Sequence, residues 1–144
     1  MTLATTASQP VTPFLYYQDV EGAIEWLTSA FGFTERMRLV GPGGGVAHAE
    51  VTIRGGVIMI GNVGPRNAGK RPQTVRSGVY VYVDDVDRHC EQARAAGAEI
   101  VREPADQSFG DRIYLAVDRE GHEWYFAQHL RDVSLNDLER SLRR

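Results

Sequence analysis

The feature that most constrains this chain is that it states one pattern twice. Tyr17-Gln18-Asp19-Val20 opens a helix-patterned run that closes on Ala30-Phe31-Gly32-Phe33, and Val83-Asp84-Asp85-Val86 opens another that closes on Ala95-Ala96-Gly97-Ala98. Asp19 and Asp85 lie about half a chain apart, and each run is followed by strand-like segments broken at glycine turns. The period is far longer than a solenoid unit of roughly 20–50 residues. Two copies therefore predict a pseudo-symmetric domain built from two modules.

The 144 residues suit one domain, and a domain of this size buries roughly 70% of the surface its unfolded chain exposes. It needs no covalent staple. The single Cys90 has no partner for an intramolecular disulfide and falls inside the second helical run, so it reads as a semi-buried helix residue. Nothing around it resembles a thiol-activating motif. The opening residues lack a basic-then-apolar signal pattern, and no apolar run approaches the ~18 residues of a membrane span. The expectation is a cytoplasmic protein without membrane contact. A formal charge of −3 with both signs interspersed argues against nucleic acid as a partner. Arg140, Arg143 and Arg144 form a local exception, read as a solvated helix end.

Along the chain, 1–10 reads as a disordered lead-in and 11–134 as one domain, with module 1 at about 11–62, a linker at about 63–77 and module 2 at about 78–129. The first strand is placed at 11–17, with Thr12, Phe14 and Tyr16 on one face and Leu15 and Tyr17 on the other. Asp19 stands where an N-cap belongs, Ala23, Ile24, Leu27, Ala30 and Phe31 recur at helical spacing, and Gly32 supplies the stop. Strands follow at 33–40, 47–53 and 57–61, the last two joined across Arg54-Gly55-Gly56. The glycine-rich run 41–45 lacks the Lys-Ser/Thr ending and the following helix of a phosphate cradle, so it reads as a hairpin connection. Module 2 repeats the order: a strand at 79–83, a helix capped by Asp85 and stopped by Gly97, a short strand at 99–102, a loop over 103–111, and strands at 112–117 and 122–128. A last helix over 134–144 carries Leu135, Leu138 and Leu142 on one face. The predicted class is α+β: two tandem βαβββ modules whose curved mixed sheets, each covered by a helix on one face, turn their other faces to an open cleft.

Several stretches add a resemblance: Thr12-Pro13-Phe14-Leu15-Tyr16-Tyr17, His48-Ala49-Glu50 with Val57-Ile58-Met59-Ile60, and Tyr82-Val83-Asp84-Asp85-Val86-Asp87. The run from Asp106 to Arg112, then Asp118, Gly121-His122 and Trp124, and His129-Leu130-Arg131-Asp132-Val133-Ser134 extend it. Together they resemble the vicinal oxygen chelate superfamily, which includes glyoxalase I, extradiol dioxygenases, fosfomycin-modifying enzymes and bleomycin-binding proteins, and within it the PhnB-like branch. The resemblance implies a homodimer, with clefts completed by modules from both chains. It also implies a divalent metal held by one side chain from the first and one from the last strand of each module. Those positions fall at about Thr12, Met59, Gly78 and Tyr125. Glycine offers no donor, a thioether is soft, and hydroxyls and neutral phenols are weak. Neighbours one residue away do not repair the set, so no metal or other cofactor is expected, His48, Glu50 and Glu123 being the fallback.

Strand alternation puts His48 and Glu50 on one face, and they read as a polar, solvent-facing or edge pair. His122 reads as a turn-packing residue, His89 as lying on the helix surface, and His129 as lying past the closing strand. If Gly78 marks the cleft-facing phase, Tyr80 and Tyr82 share it, and Thr12, Phe14, Tyr16, Met59 and Tyr125 face the cleft by the same logic. Arg112 and Tyr114 alternate on the last hairpin, Arg112 either anchoring an anionic group or pairing with Asp111 to hold the loop. These nine form the candidate ligand site. It suits a small planar or amphipathic molecule, and the first expectation is a metal-independent binding protein. A glyoxalase-type lyase or isomerase with a non-standard metal site is the alternative, and a structural or regulatory homodimer the third.

Overall fold

The computed structural model describes residues 9–63 and 77–142. Most of the expected lead-in and linker, and Arg143 and Arg144, lie outside the described residues. The chain divides into two compact units, Met1–Arg76 and Ser77–Arg144. The first contains β1 (Phe14–Tyr17), α1 (Val20–Phe31), β2 (Thr34–Val40), β3 (Val46–Ile53) and β4 (Gly56–Asn62). The second contains β5 (Gly78–Tyr82), α2 (Val86–Ala95), β6 (Glu99–Asp106), β7 (Asp111–Val117), β8 (Glu123–His129) and α3 (Leu135–Leu142). Each sheet has four strands, in the orders β1-β4-β3-β2 and β5-β8-β7-β6. In each, the first strand runs parallel to the last and the remaining pairs are antiparallel. The fold is α+β with two βαβββ modules, as the repeat predicts.

Local chemistry explains the joints. Asp19 accepts from Gly22 N at 3.0 Å and Asp85 from Arg88 N at 3.1 Å, so each helix begins on a carboxylate that satisfies a first-turn amide. Gly32 ends α1 in the left-handed region at φ 78°, where a Cβ is costly. Arg54 and Gly55 both take positive φ, 49° and 83°, the two-residue turn whose twist matches a β-hairpin. Ile24, Leu27, Ala30 and Phe31 of α1 are buried beside Ala49, Val51, Ile58 and Ile60 of its sheet. Val86, Cys90 and Ala93 of α2 are buried as are Val81, Tyr114, Ala116, Trp124 and Phe126. Cys90 is thus fully buried, and burial pushes its thiol up, which fits a packing residue.

Three boundaries differ from expectation. β1 begins at Phe14, not at 11, because Pro13 has no N–H for the ladder. Its carbonyl still accepts from Met59 N at 2.9 Å, and the Gln9 carboxamide pairs with Val57 N and O at 2.9 and 2.8 Å. Gln9 therefore docks on β4 although the sequence places it in the lead-in. β6 continues to Asp106 through a stretch expected to be loop. Pro104 is tolerated there because β6 is an edge strand and its pairing skips register between Arg102 and Ala105. Arg94 of α2 also bonds Glu103 at 2.5 Å and holds that carboxyl below its ordinary range. The connection shrinks to 107–110, so Asp111 joins β7, while β8 runs on to include His129. α3 opens on Ser134, whose hydroxyl accepts from Asp137 N at 3.1 Å.

Candidate functional site

In unit 2 the helix-side phase of β5 holds Val79 and Val81, with Val83 just beyond it. The opposite phase, Gly78, Tyr80 and Tyr82, forms the open face, and the two tyrosines are 42% and 47% exposed. Parallel pairing sets Tyr125 of β8 beside Tyr80, the two rings stacked with centroids 6.2 Å apart and planes 20° apart. The Tyr125 ring lies over Gly78, where an added Cβ would sit 3.0 Å from it. Glycine lets the ring approach without displacing it.

Below the exposed rings sits Asp111, only 3% exposed. Its Oδ2 accepts from the Tyr80 hydroxyl at 2.6 Å and from the Tyr82 hydroxyl at 2.9 Å. Its Oδ1 meets His129 Nδ1 at 2.7 Å, and His129 Nε2 meets Asp132 Oδ1 at 2.7 Å. Burial alone would raise the Asp111 carboxyl, but the bonds from Tyr80, His129 and Tyr82 outweigh it and hold the group below its ordinary value. The partners respond oppositely. Burial, and then the bond to Asp111, push Tyr80 up; the bond to Asp111 and then burial raise Tyr82. Bonds to Asp111 and Asp132 raise the His129 imidazole. The cluster is a buried carboxylate held mainly by neutral phenols and one imidazole.

In unit 1 the matching face carries Phe14 and Tyr16, 41% and 55% exposed and stacked at 4.8 Å. Phe14 lies on Gly61, where a Cβ would come within 2.6 Å of its ring. Register places Met59 beside Phe14 and Glu50, and Gly61 beside Tyr16 and His48. Glu50 is buried at 6% exposure, is paired with Arg36 of β2 and lies 3.5 Å from His48 Nε2. Strand β3 is internal. The edge reading of His48 and Glu50 is therefore corrected, and the solvent-facing reading is corrected for Glu50, because a guanidinium from the neighbouring strand makes burial of this carboxylate tolerable, while His48 stays half-buried.

Of the nine candidate ligand residues, Phe14, Tyr16 and Met59 share the open face of unit 1, and Tyr80, Tyr82 and Tyr125 share that of unit 2. Thr12 precedes β1, its hydroxyl lying 3.3–3.4 Å from the Gln9 side chain and carbonyl. Arg112 and Tyr114 take the other phase of β7. Arg112 bonds Asp87 of α2 and Asp106, each at 2.9 Å, rather than Asp111. Tyr114 is fully buried with its hydroxyl 2.5 Å from His89 Nδ1, and the His89 ring packs tilted against Phe126, centroids 4.3 Å apart. These two residues belong to the helix-side packing, and His89 is half-buried there rather than on the surface. His122 bears out the turn reading: Asp118 accepts from His122 N at 3.0 Å and from Trp124 Nε1 at 3.1 Å, and lies 3.2 Å from His122 Nδ1. His129 is the larger correction, since it ends β8 and completes the Asp111 cluster. The signal for it was strand phase: Tyr125, Ala127 and His129 alternate, as do Leu115, Ile113 and Asp111.

The donors at the expected metal positions do not fit a divalent ion. Thr12 is engaged with Gln9, Met59 offers a thioether, and the space a side chain at Gly78 would need is taken by the Tyr125 ring. His48 and Glu50 belong to unit 1 and Glu123 to unit 2. Among the described residues no three His, Cys, Asp or Glu side chains converge as a metal site, and no helix is long and apolar enough to cross a membrane.

The sequence pattern of the Glyoxalase/Bleomycin resistance protein/Dioxygenase superfamily matches residues 7–126. The chain belongs to that superfamily. It is 30% identical over 147 residues to an uncharacterized protein of Mycobacterium tuberculosis, the match covering 98% of this chain and 86% of that one. The crystal structure of TioX from Micromonospora sp. ML1 is similar at TM-score 0.68 and 35% identity, covering 83% of this chain and 99% of TioX. TnmS3, an antibiotic binding protein from Streptomyces sp. CB03234, shares the fold at TM-score 0.63 and 20% identity over 83% of this chain and 95% of its own.

Proposed function

We propose that this member of the glyoxalase/bleomycin resistance/dioxygenase superfamily is a metal-independent binding protein. It takes up a small aromatic or amphipathic molecule against the open sheet faces. The observation that carries the reading is a row of rings on the same strand faces as the expected donor positions Thr12, Met59, Gly78 and Tyr125, with exposed Tyr80 and Tyr82 beside half-buried Tyr125 in unit 2 and exposed Phe14 and Tyr16 in unit 1. Rings left in water are unfavourable until something covers them, and phenols add a hydrogen-bonding tip to their stacking area. The antibiotic binding role of TnmS3 supports the reading only as an example of what the fold can hold. Placement in the PhnB-like branch, and a homodimer, belong to the same proposal.

Two measurements test it. Purified protein should carry no stoichiometric Zn, Ni, Mn or Fe and show no methylglyoxal–glutathione turnover. A panel of planar antibiotics and metabolites should contain compounds that raise the melting temperature, since a ligand that binds only the folded state stabilises it. Tyr80→Ala should weaken such a compound by about 1–2 kcal/mol. One metal per chain with turnover would replace this reading with lyase chemistry.

A further inference from the structure

The hydroxyls of Tyr80 and Tyr82 both reach one oxygen of Asp111. A phenol has a single hydrogen to give, and an ionised carboxylate can only accept. Both hydrogens are therefore consumed inside the protein. What the two phenol oxygens can still offer at the open face is lone pairs. Asp111 is too deeply buried to touch a ligand itself. It also makes the rings above it more electron-rich, because a charged acceptor polarises the donors it binds. His129 holds the other carboxylate oxygen and fixes the plane of the group.

We propose that Asp111 is a positioning residue that sets the polarity of the unit 2 face, so that the molecule bound there is a planar aromatic bearing N–H or O–H donors. Aromatics that offer acceptors alone are discriminated against, because each would set its oxygen against a phenol with no hydrogen to give. This rests on the reading that the face binds an aromatic molecule, but it is a separate claim about which one. Unit 1 provides the contrast. The repeat carries Tyr80 onto Phe14, which has no hydroxyl, and the ladder register, in which Leu115 beside Tyr125 matches Glu50 beside Met59, carries Asp111 onto Val46, so the device is confined to one module.

The test uses two uncharged probes of one ring system, 2-aminoanthracene as the donor and 9-anthraldehyde as the acceptor, titrated by fluorescence into the full chain. The wild type should prefer 2-aminoanthracene by about fivefold or more, the equivalent of one hydrogen bond. In Asp111→Asn the amide donates as well as accepts, which frees a phenol hydrogen, and the preference should fall to about twofold or less. Tyr80→Phe/Tyr82→Phe retains Asp111 and His129 and should lose the preference in the same way, which keeps the claim testable if Asp111→Asn folds poorly. A merely structural role predicts that both probes weaken equally and the ratio stands. Binding of both probes with no preference in the wild type overturns the polarity claim and leaves the binding reading intact. If neither probe binds and no aromatic in the panel does, the binding reading fails and this inference with it.

Discussion

The two units repeat one framework but solve the problem of a buried carboxylate in different ways. The offset that carries Asp19 onto Asp85 carries Phe14 and Tyr16 onto Tyr80 and Tyr82, and Met59 onto Tyr125. The acids do not coincide. Glu50 lies beside Met59, whereas register places Leu115 beside Tyr125, and Asp111 lies four residue pairs further along on the same face, beside His129. In unit 1 the acid is met by a guanidinium and its aromatic neighbour Phe14 has no hydroxyl. In unit 2 it is met by two phenols and an imidazole. The first arrangement balances charge and stabilises packing. The second spends the protein's own donors on one anion and leaves a patterned surface, which is what recognition needs and stability does not.

The largest effect that can break this contrast is expected in unit 1. Arg36→Met strands Glu50 in a site only 6% exposed and should destabilise the protein by about 3 kcal/mol in urea unfolding, as for other half-removed buried pairs. Arg36→Met/Glu50→Leu copies the leucine of unit 2 and should recover to within about 1 kcal/mol of wild type. A single-mutant loss below about 1 kcal/mol would mean that the pair behaves as a solvated one.

Much of the framework was legible because each cue was local. Asp19 and Asp85 marked helix starts, Gly32 and Gly97 marked ends, and alternation assigned Tyr80, Tyr82 and Tyr125 to one face. The cluster at Asp111 was not legible, because Asp111 closes a stretch, 103–111, that reads as loop, and a loop residue has no strand phase to assign it to a face. A strand carrying Pro104 contradicts local propensity and is rescued by edge position, a register skip and the bond to Arg94. Each of those is tertiary. Arg112 drew attention as the charge next to Asp111, yet neighbours in a strand point to opposite faces. Arg36 could not be matched to Glu50 without the pairing of β2 with β3, whose register shifts between Glu35 and Met37.

A middle-sized effect separates the two glycines that let rings lie flat. Gly61→Ala would force a Cβ to within 2.6 Å of the Phe14 ring, against 3.0 Å from the Tyr125 ring for Gly78→Ala. Both sites are in strands, where alanine gains backbone entropy over glycine. The steric term should win at Gly61, for a net loss of about 1–2 kcal/mol, and nearly cancel at Gly78. Thermal unfolding of the two variants reads the difference directly. Equal losses would show that the rings give way equally and that the two faces are not distinguished by packing.

The smallest effect is one of pH, and it belongs to unit 2. The imidazole of His129 meets Asp111 at 2.7 Å, which ties the cluster to pH. The bonds to Asp111 and Asp132 raise His129 above its ordinary value, so the protonated form is favoured by folding. The stability this contributes is fully present below the unfolded imidazole value of about 6.5 and is lost as pH rises through the raised folded value. Asp111 works in the opposite sense. Its carboxyl is held low, so its contribution is present above the ordinary aspartate range and disappears as pH falls through the depressed folded value. Urea midpoints measured between about pH 6 and 9 should therefore decline in the wild type more than in His129→Gln. The gap should be modest, because His129 is half exposed and solvent screens its pairs. Parallel pH profiles for the two proteins would mean that the imidazole is neutral in this cluster and meets Asp111 only as an uncharged donor.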